Sequence, residues 1–363
     1  MRFLAPFLHL ILKMQYMIVI NARFLTQKIT GVQRVAFEIC NRMQSQISNK
    51  KIVFVAPNDN IVNHLNNNIN IVFTGKFKGQ LWEQIDLPLF LKENGNPLLI
   101  NFVGIGPVFY KNKLMFLYDL AFKHHPEWFS YAFHKSYNLL IPKSLKNSTR
   151  IITDSNYVKS DIIETYKIIK DKIDVIYAAP STKFVNKDKK KEKIILTVSS
   201  IDPRKNLKRV IEAFNKIDSN YKLKIVGAKS KTFANIGLNE NLLNENIIFT
   251  GYLTDEELRD AYNEAEIFIY ASLFEGFGIP PLEAQACGCA CIISNITSLP
   301  EVYEDSVEYF NPNSVESIKD KIEEVINNQE KIRKLRELGL KNSTRFSWDT
   351  STFKLESIIK KLV

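Results

Sequence analysis

Short runs of aliphatic and β-branched residues alternate along this chain with longer stretches whose apolar positions recur at helical spacing. Met17-Ile-Val-Ile-Asn21 reads as a buried strand. A loop over Thr26–Gly31 follows, and the apolar residues from Val35 to Ile47 then fall on one helical face. Lys51–Ala56, Pro97–Phe102, Leu114–Tyr118 and Arg150–Thr153 read as further strands, each feeding a loop. Val158, Ile162, Tyr166 and Ile169 share one face of a predicted helix. The run of Asn, Lys, Asp and Glu over 186–193 reads as a solvated linker.

The pattern then restarts. Ile194–Ser199, Leu223–Gly227, Ile247–Thr250, Ile267–Tyr270 and Cys291–Ser294 are predicted strands. Helices are predicted over Asn206–Ile217, from Asp255 behind a Thr254/Glu257 capping box, and from about Pro280. Asp349–Leu362 is a closing helix. Strand–helix alternation in both halves predicts an α/β protein with two Rossmann-like parallel-sheet domains and a cleft between them. The expected boundaries are 17–180 for the first domain, 181–193 for the linker, 194–347 for the second domain, and 348–363 for a helix packing back on the first. Residues 1–16 are apolar but are cut short by Lys13, too short to span a bilayer and without a cleavage site. We read them as lying before the true start or as a short interfacial anchor.

Composition sharpens the picture in one respect. The 363 residues carry a net charge of +10, and residues 1–180 hold all of it, with 22 basic and 12 acidic side chains. Residues 181–363 hold 27 of each. Such asymmetry concerns partners rather than fold. The four cysteines, three of them at 287, 289 and 291, make no disulfide framework; they fit a reducing, cytoplasmic setting and read as small buried core residues rather than a metal site.

The candidate chemistry concentrates in the second half. Glycine is scarce, with 13 in the chain, yet Gly276 and Gly278 stand two apart directly before a helix opened by Pro280 and Pro281. The amides there face an anion-binding position. Glu275 and Glu283 flank this turn, and carboxylates beside a phosphate site should accept hydrogen bonds from hydroxyls such as those of a ribose or sugar ring. Arg204 and Lys205 follow the first strand of the second half and open the next helix, where positive charge is unfavourable unless an anion is bound. A diphosphate satisfies both ends of this pattern.

Three stretches carry a family resemblance: Thr197-Val-Ser-Ser-Ile-Asp-Pro-Arg-Lys-Asn-Leu207, Phe249-Thr-Gly-Tyr-Leu-Thr-Asp-Glu-Glu-Leu258, and Ser272 through Gly288 with its Glu–seven residues–Glu spacing. The chain resembles the retaining, nucleotide-sugar-dependent glycosyltransferases of family 4 (glycosyl transferases group 1). In the first half, Asn21-Ala-Arg-Phe-Leu25, Thr30-Gly-Val-Gln-Arg34, Tyr118-Asp-Leu-Ala-Phe122 and His125-Pro-Glu-Trp-Phe129 resemble it too. The resemblance implies a GT-B fold with the nucleotide sugar on the second domain. It implies that Lys205, Arg204 and the backbone of Phe277, Gly278 and Ile279 hold the diphosphate. Glu275 meets the donor sugar, Glu283 the ribose, and Gly251-Tyr252-Leu253 borders the base. Gly31 brings the first domain's loop to the phosphates or the acceptor. It further implies a front-face reaction in which the departing phosphate takes the acceptor's proton, in synthesis of a surface polysaccharide such as capsule, O-antigen or exopolysaccharide.

Two departures stand out. Ser199-Ser200 replaces the usual Gly-Arg, leaving Arg204 to supply that cation. Tyr118-Asp119 replaces the usual His-Asp, so Tyr118 and Asp119 are candidate site residues; loop capping is the other reading for Asp119. No Asp-x-Asp pair occurs in the chain, so no metal is expected on the diphosphate. Gly104-Ile-Gly106 lacks the third glycine of a dinucleotide fingerprint. His124 and His125 read as structural or surface residues, and Trp82 as core. The rival functions are a sugar-nucleotide epimerase of the same fold and a catalytically silent nucleotide-sugar-binding partner of another transferase. No nucleic-acid motif accompanies the basic first half. Docking on an anionic membrane surface from the cytoplasm fits it instead.

Overall fold

The structure is a computed structural model that describes residues 17–43, 46–47, 50–65, 69, 71–199, 202–227 and 244–363. The readings of residues 1–16 and of Ser200 lie outside the described residues. The chain divides into two compact units, Met1–Tyr177 with Trp348–Val363, and Ala178–Ser347.

In the first unit, strands β1 (Met17–Asn21), β2 (Gln46–Ile47), β3 (Lys50–Pro57), β4 (Ile71–Thr74), β5 (Leu98–Asn101), β6 (Lys113–Phe116), β7 (Arg150–Thr153) and β8 (Ile173–Val175) form one sheet. Its order is β2-β3-β1-β5-β6-β7-β8, with β4 also on β3, and every pairing except β2 with β3 is parallel. Both faces are covered, as a parallel sheet requires. Trp82, Leu87 and Leu91 pack on Val19, Val53, Val55 and Leu99. Ile141, Leu145, Val158 and Ile162 cover the face bearing Met115 and Ile151. Each such aliphatic side chain, fully buried, contributes about 2 kcal/mol. The helix Trp348–Lys360 is tied to this unit by Ser351 Oγ, which donates to the Tyr177 carbonyl at 2.6 Å, and by Asp349, which accepts from Arg42 Nε at 3.1 Å.

Two expectations need correction. The first helix runs over Gly31–Arg42 and does not reach Ile47. Ile47 is buried, but from β2, which folds back antiparallel on Lys50 and Lys51. Its side chain fits the helical period and the hairpin equally, and the polar Ser45-Gln46 and Ser48-Asn49 favour the hairpin. The helix Asn156–Tyr166 stops before Ile169, because Lys167 adopts the left-handed conformation (φ 54°) and turns the chain. Ile168 then points inward while Ile169 is 75% exposed. The charged run 186–193 is mostly exposed, and it is also anchored. Lys191 Nζ caps the carbonyls of Tyr262 at 3.0 Å and Cys287 at 2.9 Å, Lys187 pairs with Asp260 at 2.6 Å, and Glu192 and Lys193 already belong to a strand.

The second unit holds β9 (Glu192–Val198), β10 (Lys222–Val226), β11 (Ile247–Gly251), β12 (Ala265–Tyr270), β13 (Ala290–Ser294) and β14 (Glu308–Phe310). Its sheet is wholly parallel, in the order β11-β10-β9-β12-β13-β14. Helices Leu207–Phe214 and Val315–Ile326 press Val210, Ile211, Ile318 and Ile322 onto Ile225, Ile269 and Ile292. The strand order reverses between β9 and β12, and ligands of doubly wound sheets bind at the carboxyl ends on either side of that point.

Candidate functional site

Arg204, Lys205, Glu275 and the glycine loop follow the two strands on either side of that point, while Gly251–Leu253 follow the edge strand β11. After β9, Asp202 caps a tight turn over Pro203–Lys205 by accepting from the Arg204 amide at 2.9 Å. The next residue, Asn206, takes a left-handed φ of 56° and anchors its amide on the Pro312 carbonyl at 2.7 Å. This turn aims Lys205 across to the residues that follow β12. Lys205 Nζ donates to Glu275 Oε1 at 2.6 Å and to the Tyr270 hydroxyl at 2.9 Å, and sits 5.1 Å from the centre of the Tyr270 ring. Tyr270 donates in turn to Glu275 Oε1 at 2.8 Å. The Leu273 amide donates to the Arg204 carbonyl at 2.8 Å, so the two loops are also joined through their backbones.

Burial would lift the Glu275 carboxyl, but the charges of Lys205 and Arg204 outweigh it and hold its pKa at about 2. Burial likewise works against the Lys205 ammonium, and Glu275 reverses the sign, leaving it above the usual lysine value. Burial and then Glu275 push the Tyr270 phenol up to about 12. At neutral pH the site therefore holds a carboxylate, an ammonium and a neutral phenol.

The glycine loop is fixed from below. Glu275 N donates to Thr297 Oγ1 at 3.2 Å, and Ser298 Oγ donates to the Glu275 carbonyl at 3.0 Å. Gly278 has φ 85° and precedes the helix Ile279–Ala286; Tyr303 donates to its carbonyl. A Cβ at Gly278 would come within 2.7 Å of Leu299 Cδ2, so both backbone and space demand glycine there. Phe277 is buried edge-on against Phe346 at 5.5 Å. Gly276 is buried and Ile279 half-buried at the helix start, while Glu283 is buried one turn further on. The Gly251 carbonyl accepts from Gly227 N at 2.7 Å, Tyr252 beside it is 83% exposed, and Leu253 is half-buried.

The first unit places its candidates separately. Asp119 Oδ1 accepts from Ala121 N at 3.0 Å, which caps the turn into Ala121–His124. The Tyr118 hydroxyl is buried without a hydrogen-bond partner among the described residues, and burial pushes its pKa well up. Gly31 opens its helix exposed, with nothing among the described residues within 4 Å of a Cβ added to it. His124 pairs with Asp161 at 2.8 Å, and His125 stacks on Trp128 at 3.9 Å. Trp82 is fully buried, its Nε1 donating to the Thr74 carbonyl at 2.8 Å. The cysteines at 287, 289 and 291 are free and buried. Tyr270, Thr297, Ser298 and Tyr303 escaped the sequence reading. Tyr270 alone carried a signal, as the last residue of a strand feeding the Glu275 loop.

Residues 179–346, nearly the whole of the second unit, match the family model described as glycosyl transferases group 1. That unit is thus similar to members of that family, and the two parallel-sheet units are those of the GT-B fold. The relatives narrow the class. The serotype-specific mannosyltransferase WbdA of Escherichia coli is 32% identical over 236 residues, 58% of this chain; the match takes in 29% of WbdA, so the chain spans under a third of that relative's length. The O-antigen chain mannosyltransferase RfbU of Salmonella typhimurium is 26% identical over 304 residues, 82% of this chain and 83% of RfbU. Among solved structures, WaaG, a glycosyltransferase involved in lipopolysaccharide biosynthesis, superposes with a TM-score of 0.73 at 13% identity over 94% of this chain and 99% of its own. HepE of Anabaena, solved with UDP and glucose, gives 0.74 at 13% identity over 96% of this chain and 100% of its own.

Proposed function

We propose that this chain is a retaining glycosyltransferase that moves a hexose, of the mannose class, from a nucleotide diphosphate sugar to a glycan or lipid-linked glycan in surface polysaccharide synthesis. The Lys205–Tyr270–Glu275 network beside the Gly278 helix start carries the reading. A diphosphate arriving at that helix start takes the charge of Lys205 and Arg204 together with the amides of Phe277, Gly278 and Ile279. Glu275, released from part of its pairing with Lys205, accepts hydrogen bonds from the sugar hydroxyls, and Glu283 does so from the ribose. Gly251, Tyr252 and Leu253 border the base. Fixed cations and amides do the work that a divalent metal does in other sugar transferases, by stabilising the departing diphosphate. Relatives named as mannosyltransferases support the sugar class.

The test is transfer itself. The full chain, incubated with a panel of nucleotide sugars and a membrane extract as acceptor, should release nucleoside diphosphate only when acceptor is present. Epimer formed without acceptor points to an epimerase, and binding without turnover points to a silent partner.

The membrane belongs to the same proposal. The first unit carries 25 basic and 14 acidic residues, a net +11, against −1 for the second. Lys172 Nζ donates to the Lys146 carbonyl at 2.7 Å and Thr149 Oγ1 to the Lys111 carbonyl at 3.0 Å, which draws three basic loops together. Phe109 and Ile169 project from two of them, 82% and 75% exposed. Exposed apolar tips among lysines suit an anionic membrane surface, each lysine adding about 1 kcal/mol. No helix among the described residues is long and apolar enough to cross a membrane. Sedimentation with vesicles should rise with anionic lipid content and fall on Lys146→Glu with Lys172→Glu; sedimentation indifferent to both contradicts this part.

A further inference from the structure

The first unit has a reversal point of its own. Its strand order reverses between β1 and β5, whose last residues are Asn21 and Asn101. Asn21 Nδ2 donates to Asn101 Oδ1 at 2.6 Å and to Glu83 Oε1 at 2.7 Å. Glu83 is fully buried, its Oε2 without a hydrogen-bond partner among the described residues. Arg23, two residues beyond β1, donates to Glu83 Oε1 through Nε at 3.4 Å. Its Nη1 and Nη2 donate to nothing among the described residues, and its side chain keeps 11% exposure.

Two glycines make room for this cluster. A Cβ at Gly104 would lie 2.8 Å from Arg23 Nη2, and one at Gly106 would lie 2.8 Å from the Asn101 side chain. Both glycines have positive φ, at 82° and 65°. Gln84 holds their loop by donating to the Gly106 carbonyl at 2.7 Å and accepting from Val108 N at 3.0 Å, while Ser144 donates to the Ile105 carbonyl at 2.7 Å. The Gly104-Ile-Gly106 segment that fails as a dinucleotide fingerprint thus seats an arginine.

A buried ion pair contributes little net stability compared with an apolar packing of the same volume, so stability alone does not account for this one. A guanidinium fixed through Nε by a buried carboxylate keeps its two Nη groups as a fork, and such a fork matches phosphoryl oxygens. We propose that Arg23, oriented by Glu83, is a phosphoryl-binding residue at the carboxyl ends of β1 and β5, separate from Arg204 and Lys205. Glu83 is a positioning residue, since it acts through Arg23. The phosphoryl group belongs either to a phosphate-linked acceptor or to the nucleotide.

Inorganic pyrophosphate is the probe, titrated calorimetrically into the full chain carrying Lys205→Arg, which weakens the second unit's site and keeps a cation beside Glu275. Adding Arg23→Gln should weaken the remaining binding roughly tenfold or more, and Arg23→Lys, which keeps the charge and loses the fork, several-fold. Gly104→Ala, which displaces the guanidinium without removing it, should act in the same direction. It carries the test, with Arg23→Lys, if Arg23→Gln does not fold by circular dichroism. Pyrophosphate affinity within twofold of the parent in folded Arg23 and Gly104 variants overturns the proposal. Repeating the titrations with GDP and UDP separates the sources: equal weakening assigns the phosphoryl to the nucleotide, and weakening of pyrophosphate alone assigns it to the acceptor. A chain that binds pyrophosphate through Arg23 yet transfers no sugar keeps this inference and loses the transferase reading.

Discussion

Each unit buries a carboxylate at the point where its strand order reverses, and the two carboxyl pKa values are shifted in opposite directions. Glu275 lies 2.6 Å from Lys205 and 2.8 Å from the Tyr270 hydroxyl, and its pKa falls to about 2. Glu83 has Arg23 at 3.4 Å and the Asn21 amide at 2.7 Å, and burial wins: its pKa is raised. The difference lies in contact distance and in how many positive groups converge, because Glu275 feels Arg204 as well as Lys205. Burial by itself therefore does not fix the direction of a carboxyl's shift; a short contact to one cation with a second cation nearby reverses its effect.

Removing the partner should break the contrast most severely. Lys205→Ala leaves Glu275 buried without its ammonium partner, held only by the Tyr270 hydroxyl and the charge of Arg204, which should cost about 3 kcal/mol in stability and cut transfer at least roughly a hundredfold. Urea unfolding and the transfer assay measure the two effects. Glu275→Gln tests the sign of its ionisation. Its folded pKa of about 2 lies below the ordinary 4.5, so its stabilisation is present above pH 4.5 and lost as pH falls toward 2. Relative to Glu275→Gln, the parent should lose about 3 kcal/mol over that window, read from urea midpoints.

Gly278→Ala should cost about 1–3 kcal/mol, since its φ is positive and Leu299 blocks a Cβ. Glu83→Gln should show the reverse slope to Glu275→Gln. A raised folded pKa means the parent loses stability, relative to the variant, as pH rises above 4.5. Parallel slopes for the two glutamates would remove the contrast. Gly31→Ala, with open space around it and an ordinary backbone, should change the melting temperature little while weakening ligand binding if a phosphate or acceptor approaches it closely.

The sheet alternation and the second unit's site were legible because their signals are local. Gly276, Gly278 and Pro280 stand within five residues, and Arg204 and Lys205 are adjacent. Tyr270 was marked only as a strand end, and Thr297 and Tyr303 were not legible, since only the packing of successive strands brings them under the glycine loop. The same holds more strongly for Arg23 and Glu83, 60 positions apart, whose partner asparagines look in sequence like ordinary strand ends. The first helix's end at Arg42 was hidden by Ile47, which fits a helical period and a hairpin alike.

On the function proposed above, the second unit's cations and glycine loop receive a nucleotide diphosphate sugar. A thermal-shift panel of nucleoside diphosphates and their sugars, run on the parent chain and on Lys205→Arg, tests it most directly. A ligand at a hundred times its Kd adds about 2.7 kcal/mol, a shift of several degrees. We predict such a shift for at least one nucleotide, shrinking strongly in Lys205→Arg. No shift for any of them at millimolar concentration would contradict the account.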